Sequence, residues 1–325
     1  MAGNRRMFIA FMVLIRISSP GFGGQGPEMI DIEPIQSNLR RHLSVLTQSI
    51  GERSVRIPEN LHRTAAYIQS VYEEMGLSAR RESYPYNGFM VDNVVAEIAC
   101  TTNPGNRYVL GAHYDSVMGT VGADDNASAV AVQLETARML SERVGGDSLD
   151  LSVVFVSFAL EEPPVFNTRA MGSRVYASRA RREGERIDGM ICLEMVGYSC
   201  RTPGCQHYPL PLRLFGYPET GDFIGIVGNL RSRHLTSRLA TIFRKNPALP
   251  VVTLTVPLNG WVLPAVRLSD HASFWDKGFR AVMITDTAFF RNPNYHLAAD
   301  TMDTLDFPFM AELVKSLMLF FQSHR

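Results

Sequence analysis

Much is missing from this 325-residue chain, and each absence excludes something. It has no excess charge of either sign: Lys plus Arg and Asp plus Glu both number 32, so no long-range field draws it to nucleic acid or acidic lipid. It is poor in cysteine. Four residues with no CxxC pair exclude a disulfide scaffold and a thiolate zinc site. Cys200 and Cys205 stand close enough in SCRTPGCQ to bridge in an exported protein, while Cys100 and Cys192 lie in apolar runs suited to buried thiols. It also lacks a bilayer-length apolar run, so no stable membrane span is expected. The run Met7 to Ile15, behind Arg5 and Arg6, is too short to cross. That run fits a secretory signal core, but Arg16 closes it and no small-x-small cleavage site follows in ISSPGFGGQG. Residues 1–30 are therefore read as an N-terminal arm or an export segment, and the protein as exported or cytoplasmic.

What is present fits a soluble globular enzyme, with 46% hydrophobic and 20% charged residues. Leu39, Leu43, Leu46 and Ile50 recur at helical spacing, as do Leu61, Ala65, Ile68, Tyr72 and Met75. Apolar runs at Met90 to Ile98, Tyr108 to Ala112, Leu151 to Ala159, Met190 to Leu193 and Ala281 to Ile284 look like strands buried on both faces. Helical patterns separate them, one from Ser128 to about Glu142, and a last helix follows Pro308. The alternation predicts an α/β fold, a mixed and mostly parallel central sheet with helices on both faces. No repeat and no second core is evident, so residues 31–325 are read as one domain. The segment Ser199 to Leu268, rich in Pro and Gly, is expected to supply loops and one helix near Ser232 to Arg244.

In open α/β sheets ligands bind beyond the carboxyl ends of the strands. Polar residues directly after the apolar runs are therefore the ones to collect: His113 in AHYDS, Asp124 and Asp125 in GADDNAS, the pair Glu161-Glu162, Glu194, and Asp286 leading into RNPNYH with His296. Taken singly, each has an ordinary explanation as a hydrogen-bonded histidine, a cap or a turn. Together, converging carboxylates and imidazoles would repel and lose solvation without cations, and the mixed N/O set suits zinc better than calcium or magnesium. Two ions fit if one carboxylate bridges. A further carboxylate must then take a proton from the water that two metals activate. Adjacent strand-end residues point apart, so Glu161 and Glu162 can divide coordination and base catalysis, in either order.

The strings GAHYDS, GADDNASA, FALEEPP, LEMVGY, SDHASFW and YHLAADTMDTLD, in that order, resemble the M28 metallopeptidases, and the resemblance runs from about Leu39 to the last helix. It implies a two-zinc aminopeptidase acting on peptides or small amides. Asp125 would bridge the ions, His113 and Glu194 would complete one, Glu162 and His296 the other, and Glu161 would be the base. Asp115 resembles the carboxylate that fixes the His113 tautomer, and Tyr295 a tyrosine that hydrogen-bonds the oxyanion in some relatives. Asp270 and His271 match a position lining the pocket or backing the site, although a structural histidine serves equally at 271. Position 194 is Glu where well-studied relatives carry Asp. The glutaminyl cyclases share the scaffold with a single zinc, which makes cyclase or amidohydrolase activity the alternative, and a non-catalytic binding domain a further one.

Overall fold

The computed structural model describes residues 31–100, 105–144, 150–210 and 212–323; the arm or export segment expected over residues 1–30 lies outside them. Two helices lead in, α1 (Ile32–Ser44), extended by a wide turn over Val45–Ile50, and α2 (Pro58–Glu74). A hairpin follows, β1 (Ala79–Tyr86) and β2 (Phe89–Ile98). Then come β3 (Asn106–His113), α3 (Ala129–Val144), β4 (Leu151–Phe158), α4 (Gly172–Arg182) and β5 (Gly189–Glu194). The chain ends with β6 (Ile224–Asn229), α5 (Arg233–Phe243), β7 (Val251–Val256), α6 (His271–Asp276), β8 (Ala281–Thr285) and α7 (Phe307–Gln322).

The strands form one mixed sheet in the order β1-β2-β4-β3-β5-β8-β6-β7. Its centre, β4-β3-β5-β8, is parallel. Strand β2 runs antiparallel to β4, and β6 antiparallel to β8. Alternation along the central strands fills two cores at once. In β4, Val153 and Phe155 pack with α1, α2, α3, α5 and α7, whereas Val154, Val156 and Phe158 pack with α4 and α6. Local chemistry fixes the helix ends: Asp306 accepts from the Phe309 amide at the start of α7, and Pro58 opens α2.

Two strands lie where loops were expected. The segment Ser199 to Leu268 contains β6 and β7 besides its helix α5. Gly225 and Gly228 dilute the apolar signal of β6, and Gly228 is needed because a Cβ there would meet Thr236 Oγ1 of α5 at 2.1 Å. Strand β1, also absent from the sequence reading, is a polar edge strand, and its turn to β2 uses Asn87 and Gly88, both at positive φ. Cys200 and Cys205 are bridged. Among the described residues no helix is long and apolar enough to cross a membrane.

Candidate active site

Because β4, β3, β5 and β8 are parallel and adjacent, whatever follows their last residues meets at one edge. His113 ends β3 and Glu194 ends β5. Glu161 and Glu162 lie just past β4, and β8 leads through Asp286 to the loop carrying Tyr295 and His296. Asp125 comes from the irregular turn Ala123–Ser128 between β3 and α3, and its peptide bond to Asn126 is cis.

The side chains form two groups that share Asp125. On one side, His113 Nε2 lies 3.4 Å from Asp125 Oδ1 and 3.5 Å from Glu194 Oε2. On the other, His296 Nε2 lies 3.2 Å from Asp125 Oδ2 and 3.3 Å from Glu162 Oε2. Each oxygen of Asp125 thus faces a different group. Glu161 belongs to neither trio, its Oε2 being 3.9 Å from His113 Nε2.

These spacings are informative. Donors held about 2.0–2.2 Å from one tetrahedral ion are separated by roughly 3.3–3.5 Å. All four distances within the trios fall in or next to that range. Moreover, neither ring nitrogen of His113 nor Glu162 Oε1 has a hydrogen-bond partner among the described residues, although all are buried. Buried polar atoms left unpaired cost about 1–3 kcal/mol each. A cation in the first trio would satisfy His113 Nε2, while Nδ1 on the opposite side of the ring faces Asp115.

Electrostatics says the same. Burial alone would push His113 down, but Glu194, Glu161, Asp115 and Asp125 outweigh it and hold the ring well above the ordinary histidine range. His296 is pushed up to about 10, burial again being outweighed, here by Asp125 and Glu162. Burial raises Glu162 and Glu194, and it raises Glu161 well above the usual carboxylate range, with Glu194, Glu162 and Asp270 adding to the effect. In this metal-free state the imidazoles and the buried acids are thus both driven toward their protonated forms.

Asp115 does more than face His113, whose Nδ1 is 3.3 Å from its Oδ1. Its two oxygens also accept from the backbone amides of Glu161 and Glu162, each at 3.0 Å, so one carboxylate ties β3 to the acidic pair. Tyr295 stacks on His296, ring centroids 3.8 Å apart, and burial raises its phenol, which stays a proton donor. Asp270 is fully buried with neither oxygen paired among the described residues. His271 points elsewhere: its Nε2 is 2.8 Å from the Val266 carbonyl and its ring stands on edge against Trp275.

Several positioning groups escaped the sequence reading. Asp300 accepts from the amides of Asp124 and Asp125, fixing the turn that carries the shared carboxylate. Asn126 spans to β5 through the Leu193 carbonyl and the Met195 amide. Ser269 donates to Glu194 Oε2 at 2.6 Å. Asp300 and Ser269 lie inside the recognised strings, where polar residues beside the ligands were the available signal. Next to Glu194 opens a cleft whose walls include Leu254, Leu263, Val266, Met283 and Phe289, with Tyr295 among its lining residues.

The model of peptidase family M28 matches residues 93–320. The uncharacterized protein YfbL of Escherichia coli (strain K12) is 37% identical over 288 residues, covering 86% of this chain and 85% of that one. A probable leucine aminopeptidase of Trichophyton verrucosum is 26% identical over 76% of this chain, which spans 61% of that protein's length. The LapA aminopeptidase of Legionella pneumophila shares the fold, with a TM-score of 0.68 at 20% identity, over 89% of this chain and 72% of that one. The chain belongs to peptidase family M28, a family of metallopeptidases.

Proposed function

We propose that the protein is a two-zinc aminopeptidase, with His113, Asp125 and Glu194 holding one ion and His296, Asp125 and Glu162 the other. The observation that carries this is the shared carboxylate: Asp125 presents Oδ1 to one trio and Oδ2 to the other. Bound there, the ions would polarise the scissile carbonyl and lower the pKa of an attacking water.

The remaining work falls to the chain itself. Glu161, outside both trios and made more basic by burial, accepts the proton of the attacking water and returns it to the leaving amine. Tyr295 donates to the oxygen on which negative charge develops. Asp115 keeps His113 and the acidic pair in register, so that base and ligands move as one unit. The cleft beside Glu194 takes the side chain of the substrate's first residue. Among the described residues Glu194 is the only carboxylate in its lining and no Lys or Arg lines it, so a large apolar side chain is favoured over a charged one. The Cys200–Cys205 bridge fits an oxidising compartment and thus export. N-terminal sequencing of the mature protein tests that point.

Activity is tested by offering the zinc-loaded protein peptides and aminoacyl amides in free and N-acetylated forms. Release of free apolar residues from unblocked substrates only is the expected result. Cyclisation of N-terminal glutamine with no hydrolysis of any peptide would replace this assignment with the cyclase one.

A further inference from the structure

Arg53 is among the largest fully buried side chains in the protein, and no carboxylate pairs with it among the described residues. It sits just past the turn that ends at Ile50, where the chain leaves the first helix. Among the described residues, all the hydrogen bonds of its side chain go to backbone carbonyls. Nε donates to Tyr114 O at 2.7 Å, Nη2 to Gly122 O at 2.9 Å, and Nη1 to Val121 O at 2.6 Å, Gly51 O at 3.0 Å and Leu46 O at 3.2 Å. Its backbone amide also donates to Ser116 Oγ at 3.0 Å.

Those carbonyls are not scattered. Tyr114 lies between His113 and Asp115, and Val121 and Gly122 immediately precede the turn bearing Asp125. One planar guanidinium therefore pins the two segments that deliver His113 and the shared carboxylate, and anchors both to the end of the first helix. The packing leaves no slack: a Cβ on Gly122 would meet Asp125 O at 2.2 Å and Arg53 Nη2 at 3.2 Å. Burial lowers the Arg53 pKa to about 10, while Asp115, Asp300, Asp125 and Glu162 pull it upward, so it remains a cation at neutral pH. It is thus a fixed positive charge behind the carboxylates.

We propose that Arg53 is a positioning residue for the metal centre, setting the separation of His113 and Asp125 by clamping the backbone of both segments. This rests on the ligand assignment above. A lysine would keep the charge but not the span, because its donors radiate from one nitrogen whereas the guanidinium fork reaches carbonyls on several sides.

The test compares wild type, R53K and, as a destabilised control far from the site, N246A, which loses the buried contacts of Asn246 to Glu312 and Ser316. Zinc affinity is measured by chelator competition at 25 °C, alongside Tm. R53K should fold and bind zinc roughly 10–100-fold more weakly, as for other groups that orient ligands. N246A should lose Tm without losing affinity. Wild-type affinity in R53K, or equal weakening in both variants, would overturn the proposal. So would failure of R53K to fold in excess zinc, since Arg53 would then serve the fold itself. If wild type binds no zinc, the ligand assignment fails first, and the two failures are distinguishable.

Discussion

His42 and His271 are as deeply buried as His113, yet the field around them points the other way. His42 faces the Tyr67 hydroxyl, with Arg41 and Arg138 nearby, and burial followed by those charges lowers it to about 3. His271 meets a carbonyl and an indole edge, and burial lowers it to about 4. His113 and His296 instead sit among carboxylates that drive them upward. Burial by itself makes a structural histidine. Convergence of acids from several strand ends makes one that demands a cation.

Removing the shared acid should break this contrast most completely. Asp125→Ala deprives both trios of a ligand at once, so metal analysis should find no retained zinc in a folded protein without measurable peptidase activity. Glu161→Gln sharpens it differently. Activity should fall on the order of a hundredfold to ten-thousandfold while zinc content stays at the wild-type value, and near-normal turnover would show that the base lies elsewhere.

Next comes a direct exchange between the two kinds of histidine. His113→Ala should lose zinc from its trio, whereas His271→Ala should keep full zinc content and lose about 1–3 kcal/mol of stability for its buried hydrogen bond, read in denaturant melts. Zinc loss in the His271 variant would erase the distinction.

The smallest effect is on pH dependence. His296 has its pKa raised from 6.5 to about 10 in the folded, metal-free protein, so its stabilisation is fully present below pH 6.5 and is lost as pH rises through about 10. His42 and His271 are depressed, so theirs is present above 6.5 and lost as pH falls toward 4 and then 3. On the proposed ligand assignment, zinc would replace the proton at His296 and leave His42 and His271 unaffected. The Tm difference between zinc-loaded and chelator-treated protein should therefore widen from pH 6 to 9, and a constant difference would contradict it.

The convergence of the candidate residues was legible in the sequence where they follow strongly apolar strands, which mark where each chain segment stops. His113 and Glu194 are the last residues of β3 and β5, and Glu161-Glu162 come just after β4. The sequence also led to the mixed sheet with helices on both faces. Strands β6 and β7 were not legible. Glycines that admit α5 weaken the pattern of β6, and β7, the edge strand, is only half-buried through Thr255. Arg53 was hidden for another reason: it acts through backbone carbonyls, which carry no residue-type signature.

Diffraction from zinc-soaked crystals, recorded on both sides of the zinc absorption edge, bears most directly on the two-ion centre. Two anomalous peaks are expected, one coordinated by His113, Asp125 and Glu194 and the other by His296, Asp125 and Glu162. A single peak, or two peaks with Asp125 bound to only one, would contradict it.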